Sequence, residues 1–191
     1  SLCKNQAKFK DIEYYLFDEN PYIDEPYGPN WKDMQELFFK AANIPDERIH
    51  IMTSNDWQDY DNKIRNAGGI DVMVIGLGYD GHFCGNCPRC TPFDSYTYCI
   101  DFKKKQAVNP DYGDRPRQPH TLTMGPKSLM RVKHLVMIVN GKEKTEIFKR
   151  FLDEPVNQDV PATILKLHPN FTVICDQAAA SLIDPQQYSN L

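Results

Sequence analysis

Ile70-Asp71-Val72-Met73-Val74-Ile75-Gly76-Leu77 is an almost unbroken apolar run that empties into Gly78-Tyr79-Asp80-Gly81-His82. Its β-branched content and the helix stop Gly68-Gly69 just before it predict a parallel strand covered on both faces. Upstream, Trp57, Tyr60 and Ile64 share one helical face after the polar cap Thr53-Ser54-Asn55, and a short strand is expected over residues 49–52. Trp31, Met34, Leu37, Phe38 and Ala41 recur at helical spacing from Asn30, read as an N-cap, to a stop at Asn43 and Pro45. Before them, the β-rich run 12–17 delivers Asp18 and Glu19 to a Pro- and Gly-punctuated loop.

Downstream, residues 83–121 read as irregular, with many of the prolines and most of the cysteines. A helix near 126–132, a strand at 135–139, a helix at 142–152, a short helix after Pro161 and a strand at 172–175 follow. This alternation predicts an α/β fold: one domain over residues 1–191, built on a doubly wound, mostly parallel sheet with helices on both faces. In such folds ligands collect beyond the carboxyl ends of the strands, which places Asp18 and the 80–82 turn on one candidate rim.

Lys and Arg number 22 against 26 Asp and Glu, and no basic run exceeds Lys103-Lys104-Lys105, so the electrostatic footprint of a nucleic-acid binder is missing. No stretch approaches the ~18 apolar residues of a membrane span, and the first residues lack a signal-peptide core. The expected setting is cytoplasmic. There, the six cysteines are expected as reduced thiols. Residues 1–9 look like the tail of a helix running into a strand, so a preceding segment is expected.

Asp80-Gly81-His82 sets an acid and an imidazole two positions apart among glycines that let the backbone approach a ligand. Imidazole titrates near neutrality, which suits proton transfer to a sugar hydroxyl or ring oxygen. From the residues alone, a solvated surface turn stays open beside that reading.

The whole run 68–82 resembles the signature of the glucosamine-6-phosphate deaminase/isomerase family. So does a second series: Leu122-Thr123-Met124-Gly125-Pro126, Val139-Asn140-Gly141-Lys142-Glu143-Lys144, Asp159-Val160-Pro161-Ala162 and Leu167-His168-Pro169-Asn170. In order and spacing the matches cover most of residues 10–180. The resemblance implies that Asp18 moves a proton between sugar carbons C2 and C1, and that Asp80 and His82 open the ring. It further implies that Gly78 and Gly81 line the substrate and that Lys144 holds its phosphate, with Arg115 or Arg117 as a further candidate contact. An amino-sugar phosphate then becomes fructose 6-phosphate and ammonia without a cofactor. The implied partner is a phosphorylated sugar, with no nucleic acid and no membrane; a homo-oligomer stays open.

Two features depart from the family pattern. Its first βα segment, with a proline-bearing Gly/Thr/Ser phosphate loop, is not found in these residues. Its Asn-Glu-Pro element reads Asn86-Cys87-Pro88 here, so a thiol, neutral at its ordinary pKa of about 8.5, replaces a carboxylate. Lactone hydrolysis, as in the related 6-phosphogluconolactonases, isomerisation of another sugar phosphate, and a catalytically silent sugar-phosphate binder therefore remain alternatives. Cys84-x-x-Cys87-x-x-Cys90, with His82 before it and Cys99 after, also offers four soft metal ligands. No second Cys-x-x-Cys pair closes a standard finger, so no metal is expected.

Overall fold

The computed structural model describes residues 11–101 and 115–188; the stretch 1–9, expected as the end of a helix and the start of a strand, lies outside them. In chain order the elements are β1 (Tyr14–Tyr15), β2 (Asp18–Glu19), α1 (Pro29–Met34), β3 (Ile49–His50), α2 (Tyr60–Asn66) and β4 (Val72–Gly76). There follow β5 (Tyr98–Asp101), β6 (His120–Thr123), α3 (Pro126–Leu129), β7 (His134–Val139), α4 (Thr145–Asp153) and β8 (Phe171–Cys175). Among the described residues three of the five strand pairings are parallel, β1 with β3, β4 with β7 and β7 with β8. The architecture is α/β and mostly parallel, as the alternation of strand and helix predicts.

The chain divides into two compact units, one holding the described residues up to Tyr60 and from Thr97 to Thr123, the other those in Asp61–Tyr96 and Met124–Leu191. In the first unit, α1 runs on through a π turn over Gln35–Phe39, which brings Phe38 and Phe39 edge-on to Tyr14 of β1 with centroids 5.7 Å away. Buried Tyr60 sets its hydroxyl 2.6 Å from the Leu16 carbonyl and 2.9 Å from that of His50, tying the chain beyond β1 to β3. The helix begins at Pro29, with Gly28 rather than Asn30 as its cap. Proline is suited to the first helical position because it has no N–H to leave unsatisfied there.

β5 lies within the stretch expected to be irregular, and β6 begins at its end. They pair antiparallel with Ile100 opposite Thr121, and β6 pairs on its other edge with β2, Asp18 facing Thr123. Neither four-residue strand carries a strong alternation of its own, and their partners are distant in sequence, so no local signal marks them.

In the second unit β7 is the central strand; Leu135, Met137 and Val139 on it are buried, as are Ile147, Phe148 and Phe151 of α4 and Leu165. The opposite face differs from expectation. Val72 and Val74 of β4 are 56% and 50% exposed, and Ile138 and Ile174 beside them are also exposed. Side chains alternate along a strand, and within this unit the described helices cover only the face carrying Met73 and Ile75. The unbroken apolar run thus reports the composition of β4, not its two-sided burial.

Candidate active site

β4 ends at Gly76, and the turn beyond it closes on itself: the Gly78 N–H donates to the His82 carbonyl at 2.7 Å and the Gly81 N–H to that of Gly78 at 3.0 Å. Gly81 takes φ +88°, a left-handed conformation open to glycine, and an added Cβ would sit 2.8 Å from Val160. A Cβ on Gly78 would overlap the His82 ring itself. The glycines let the chain turn back so that the imidazole lies directly over the backbone.

Within this turn Oδ1 of Asp80 accepts two hydrogen bonds from His82, from its backbone N–H at 3.0 Å and from ring Nδ1 at 2.6 Å. Burial pushes the Asp80 carboxyl up, but the hydrogen bonds and charge of His82 outweigh it, and the group rests below its ordinary value. Asp80 is therefore ionised at neutral pH. An ionised carboxylate only accepts, so Nδ1 is the ring nitrogen that carries a proton toward it, which turns Nε2 away from Asp80. This is the arrangement of a base held in one tautomer, half exposed to an incoming ligand.

Lys144 closes the 3-10 turn Lys142–Lys144 at the head of α4. Its ammonium donates to the Leu77 carbonyl at 2.6 Å and lies 3.4 Å from the centre of the exposed Tyr79 ring. Burial lowers its pKa, opposed by the charges of Glu143 and Asp80. The structure thus gathers Gly78, Asp80, Gly81, His82 and Lys144 at one strand end of the second unit. Tyr79 belongs with them through a contact across the turn that no motif announces.

Asp18 lies in the first unit, on β2. The Asn30 amide donates to both its Oδ1 and its backbone carbonyl at 3.1 Å. Neighbouring Glu19 is buried and accepts the backbone N–H groups of Asn20 at 2.8 Å, Asn30 at 3.2 Å and Trp31 at 2.9 Å. A carboxylate eleven residues upstream thereby satisfies the first turn of α1, whose N–H groups have no partner within the helix. Burial raises the pKa of Glu19, against the lowering effect of the N–H groups of Trp31, Asn20, Gly28 and Asn30. Asn30, expected as a cap, instead steadies Asp18, a role set by chain path and not by spacing.

The other candidates fall outside these clusters. Arg115 is held by Asp24 at 2.8 Å and Glu25 at 2.7 Å and stacks over Tyr22. Among the described residues no group of three His, Cys, Asp or Glu is placed to hold a metal ion, and no helix is long and apolar enough to cross a membrane. Cys87 and Cys90 form a disulfide, contrary to the expectation of reduced thiols, because a tight turn brings their Cα atoms within 5.6 Å.

A family described as glucosamine-6-phosphate isomerases/6-phosphogluconolactonase matches residues 1–174. A glucosamine-6-phosphate deaminase of Clostridium acetobutylicum is 34% identical over 192 residues, covering 96% of this chain and 77% of that protein. One from a Geobacillus species is 36% identical over 196 residues, again covering 96% and 77%. Among solved structures, a monomeric glucosamine-6-phosphate deaminase superposes with a TM-score of 0.78 at 25% identity, covering 95% of this chain and 82% of its own. The 6-phosphogluconolactonase of Trypanosoma cruzi shares the fold with a TM-score of 0.71 at 15% identity, over 94% of this chain and 76% of its own.

Proposed function

Because the chain belongs to the family of glucosamine-6-phosphate isomerases and 6-phosphogluconolactonases, we propose that it is a sugar-phosphate isomerase of the deaminase type. It converts glucosamine 6-phosphate and water to fructose 6-phosphate and ammonia. The observation that carries this reading is the 2.6 Å pairing of His82 Nδ1 with an ionised Asp80 at the end of β4, which leaves Nε2 available for a sugar oxygen.

In the proposed sequence His82 takes the proton of the C1 hydroxyl and returns it to the ring oxygen, opening the sugar while Asp80 steadies the transient imidazolium. Asp18 then removes the C2 proton, acidified by the neighbouring C1 carbonyl, as the carbonyl oxygen takes a proton, and delivers the C2 proton to C1 as the amine nitrogen gives one up. The resulting C2 imine is hydrolysed by water, releasing ammonia. Lys144 supplies charge for the phosphate, leaving its present partners, the Leu77 carbonyl and the Tyr79 ring. Gly78 and Gly81 keep the turn free of side chains where the substrate approaches. None of these steps calls for a cofactor, and the setting proposed for them is the cytoplasm.

One observation favours a second reading. In the disulfide Cys87 has no ionisable proton, so position 87 supplies no negative charge near the turn. Hydrolysis of a sugar-phosphate lactone, with His82 activating water, is the alternative.

The deciding experiment follows glucosamine 6-phosphate by ³¹P NMR with an ammonia assay on the same tube, and 6-phosphogluconolactone in a parallel tube. Fructose 6-phosphate and ammonia in equal amounts support the deaminase reading. Turnover of the lactone alone supports the alternative, and no turnover of either leaves a sugar-phosphate binder.

A further inference from the structure

The segment Cys87-Pro88-Arg89-Cys90 is a tight turn held by bonds that do not involve sulfur. The Cys87 carbonyl accepts the Thr91 hydroxyl at 2.8 Å and the Cys90 N–H at 3.3 Å. Arg89 adopts φ +57°, a left-handed conformation uncommon for a side-chain-bearing residue, and its N–H is fastened to the Gln158 carbonyl at 2.7 Å. The turn sets the Cα atoms of Cys87 and Cys90 5.6 Å apart, within the range that disulfides span. Cys90 Sγ also lies 3.3 Å from the Cys87 carbonyl, an acceptor for the S–H that reduction creates. The same backbone therefore suits both the disulfide and the dithiol.

The two sulfurs differ in access. Cys87 is buried, at 4% exposure, whereas Cys90 is half-buried. A thiol arriving from solution meets Cys90 first, and the sulfur it displaces is Cys87.

We propose that Cys87 and Cys90 form a reversible thiol–disulfide exchange site in the loop after the Asp80–His82 turn, with low-molecular-weight thiols and disulfides as its reactants and Cys90 as the point of attack. In reduction, an external thiolate attacks Sγ of Cys90, the bond between the two cysteines breaks, and Cys87 departs with the electron pair and takes a proton. A second external thiolate then attacks the external sulfur of the mixed disulfide and releases Cys90, which is protonated in turn. Two external thiols become one external disulfide as the protein disulfide becomes two thiols; oxidation runs the same steps backwards. This site is independent of the sugar-phosphate reading.

The test equilibrates the whole protein in glutathione buffers of stepped thiol-to-disulfide ratio, quenches with acid, alkylates, and assigns blocked cysteines by peptide mass spectrometry. The expected result is that Cys87 and Cys90 lose and gain alkylation together at one ratio while Cys84, Cys99 and Cys175 stay alkylated throughout. Cys84→Ser keeps the transition, Cys90→Ser abolishes it, and Cys87→Ser accumulates a glutathione adduct on Cys90. The proposal is overturned if Cys87 and Cys90 are alkylated at every ratio, if they stay blocked in excess reduced glutathione, or if the linkage found joins Cys84 to Cys87. Because the titration of the unsubstituted protein reports these outcomes directly, a variant that failed to fold would not shield the proposal.

Discussion

His82 Nδ1 and Asp80 Oδ1 lie 2.6 Å apart, in a turn where the same carboxylate oxygen also accepts the His82 backbone N–H. One oxygen thus fixes both the ring and the peptide that carries it, so the orientation of the imidazole depends on the charge of Asp80. That dependence has a sign that can be measured.

The Asp80 carboxyl is held below its ordinary value of 3.8, so its contribution to stability is fully present above that pH and is lost as pH falls through the lowered folded-state value. The difference in unfolding free energy between the native chain and Asp80→Asn should shrink as pH falls below about 4. Urea titrations at stepped pH check this. A difference that stayed constant through the acid limb would contradict the assigned ionisation.

Gly78→Ala should damage activity more than folding. The added methyl meets the His82 ring, a side chain that can swing away, and not a backbone segment. We expect the melting temperature to move little while kcat/KM falls about 100-fold or more, the scale of losing a positioned acid–base group. Steady-state kinetics beside a thermal melt separate the two. Equal loss of both would mean that the ring is locked in place.

Lys144→Gln should raise KM for a phosphorylated sugar by about 10–100-fold and leave kcat nearly unchanged, the signature of an interaction made equally in the ground and transition states. Glutamine keeps a polar donor in place of the ammonium that now meets the Leu77 carbonyl, so the change tests charge more than folding. A fall in kcat at constant KM would assign Lys144 a part in the chemistry.

Glu19 behaves with the opposite sign to Asp80. Burial raises its carboxyl above the ordinary value of 4.5, so its share of stability is fully present below that pH and declines as pH rises through the raised folded-state value. Glu19→Gln should flatten this slope. It also points an amide NH₂ at backbone N–H groups that now meet an acceptor, which should cost about 1–3 kcal/mol. Denaturant midpoints across pH, with kcat for the proposed reaction as a second reading of Asp18 placement, check both expectations.

The local pattern of the chain carried the order of elements. The apolar run of β4, the helical spacing behind α2 and α4 and the Gly68-Gly69 stop all lie within a few residues of what they specify, and each element stands near its expected place. The Gly78–His82 turn was legible for the same reason: its acid, its imidazole and the glycines that let them meet are consecutive. Four features needed the tertiary structure. These are the β5–β6 ladder, the open face of β4, the capping of α1 by Glu19, and the contact of Lys144 with Leu77 and Tyr79 across 67 residues of chain. Three of these are meetings of residues that no local spacing joins, and the open face of β4 depends on which elements reach it; loop closure and burial, not spacing, decide all four. The cysteines lie between the two cases, since Cys87-x-x-Cys90 is visible as a spacing, but the left-handed Arg89 and its bond to Gln158 make that spacing a turn that sulfur can close.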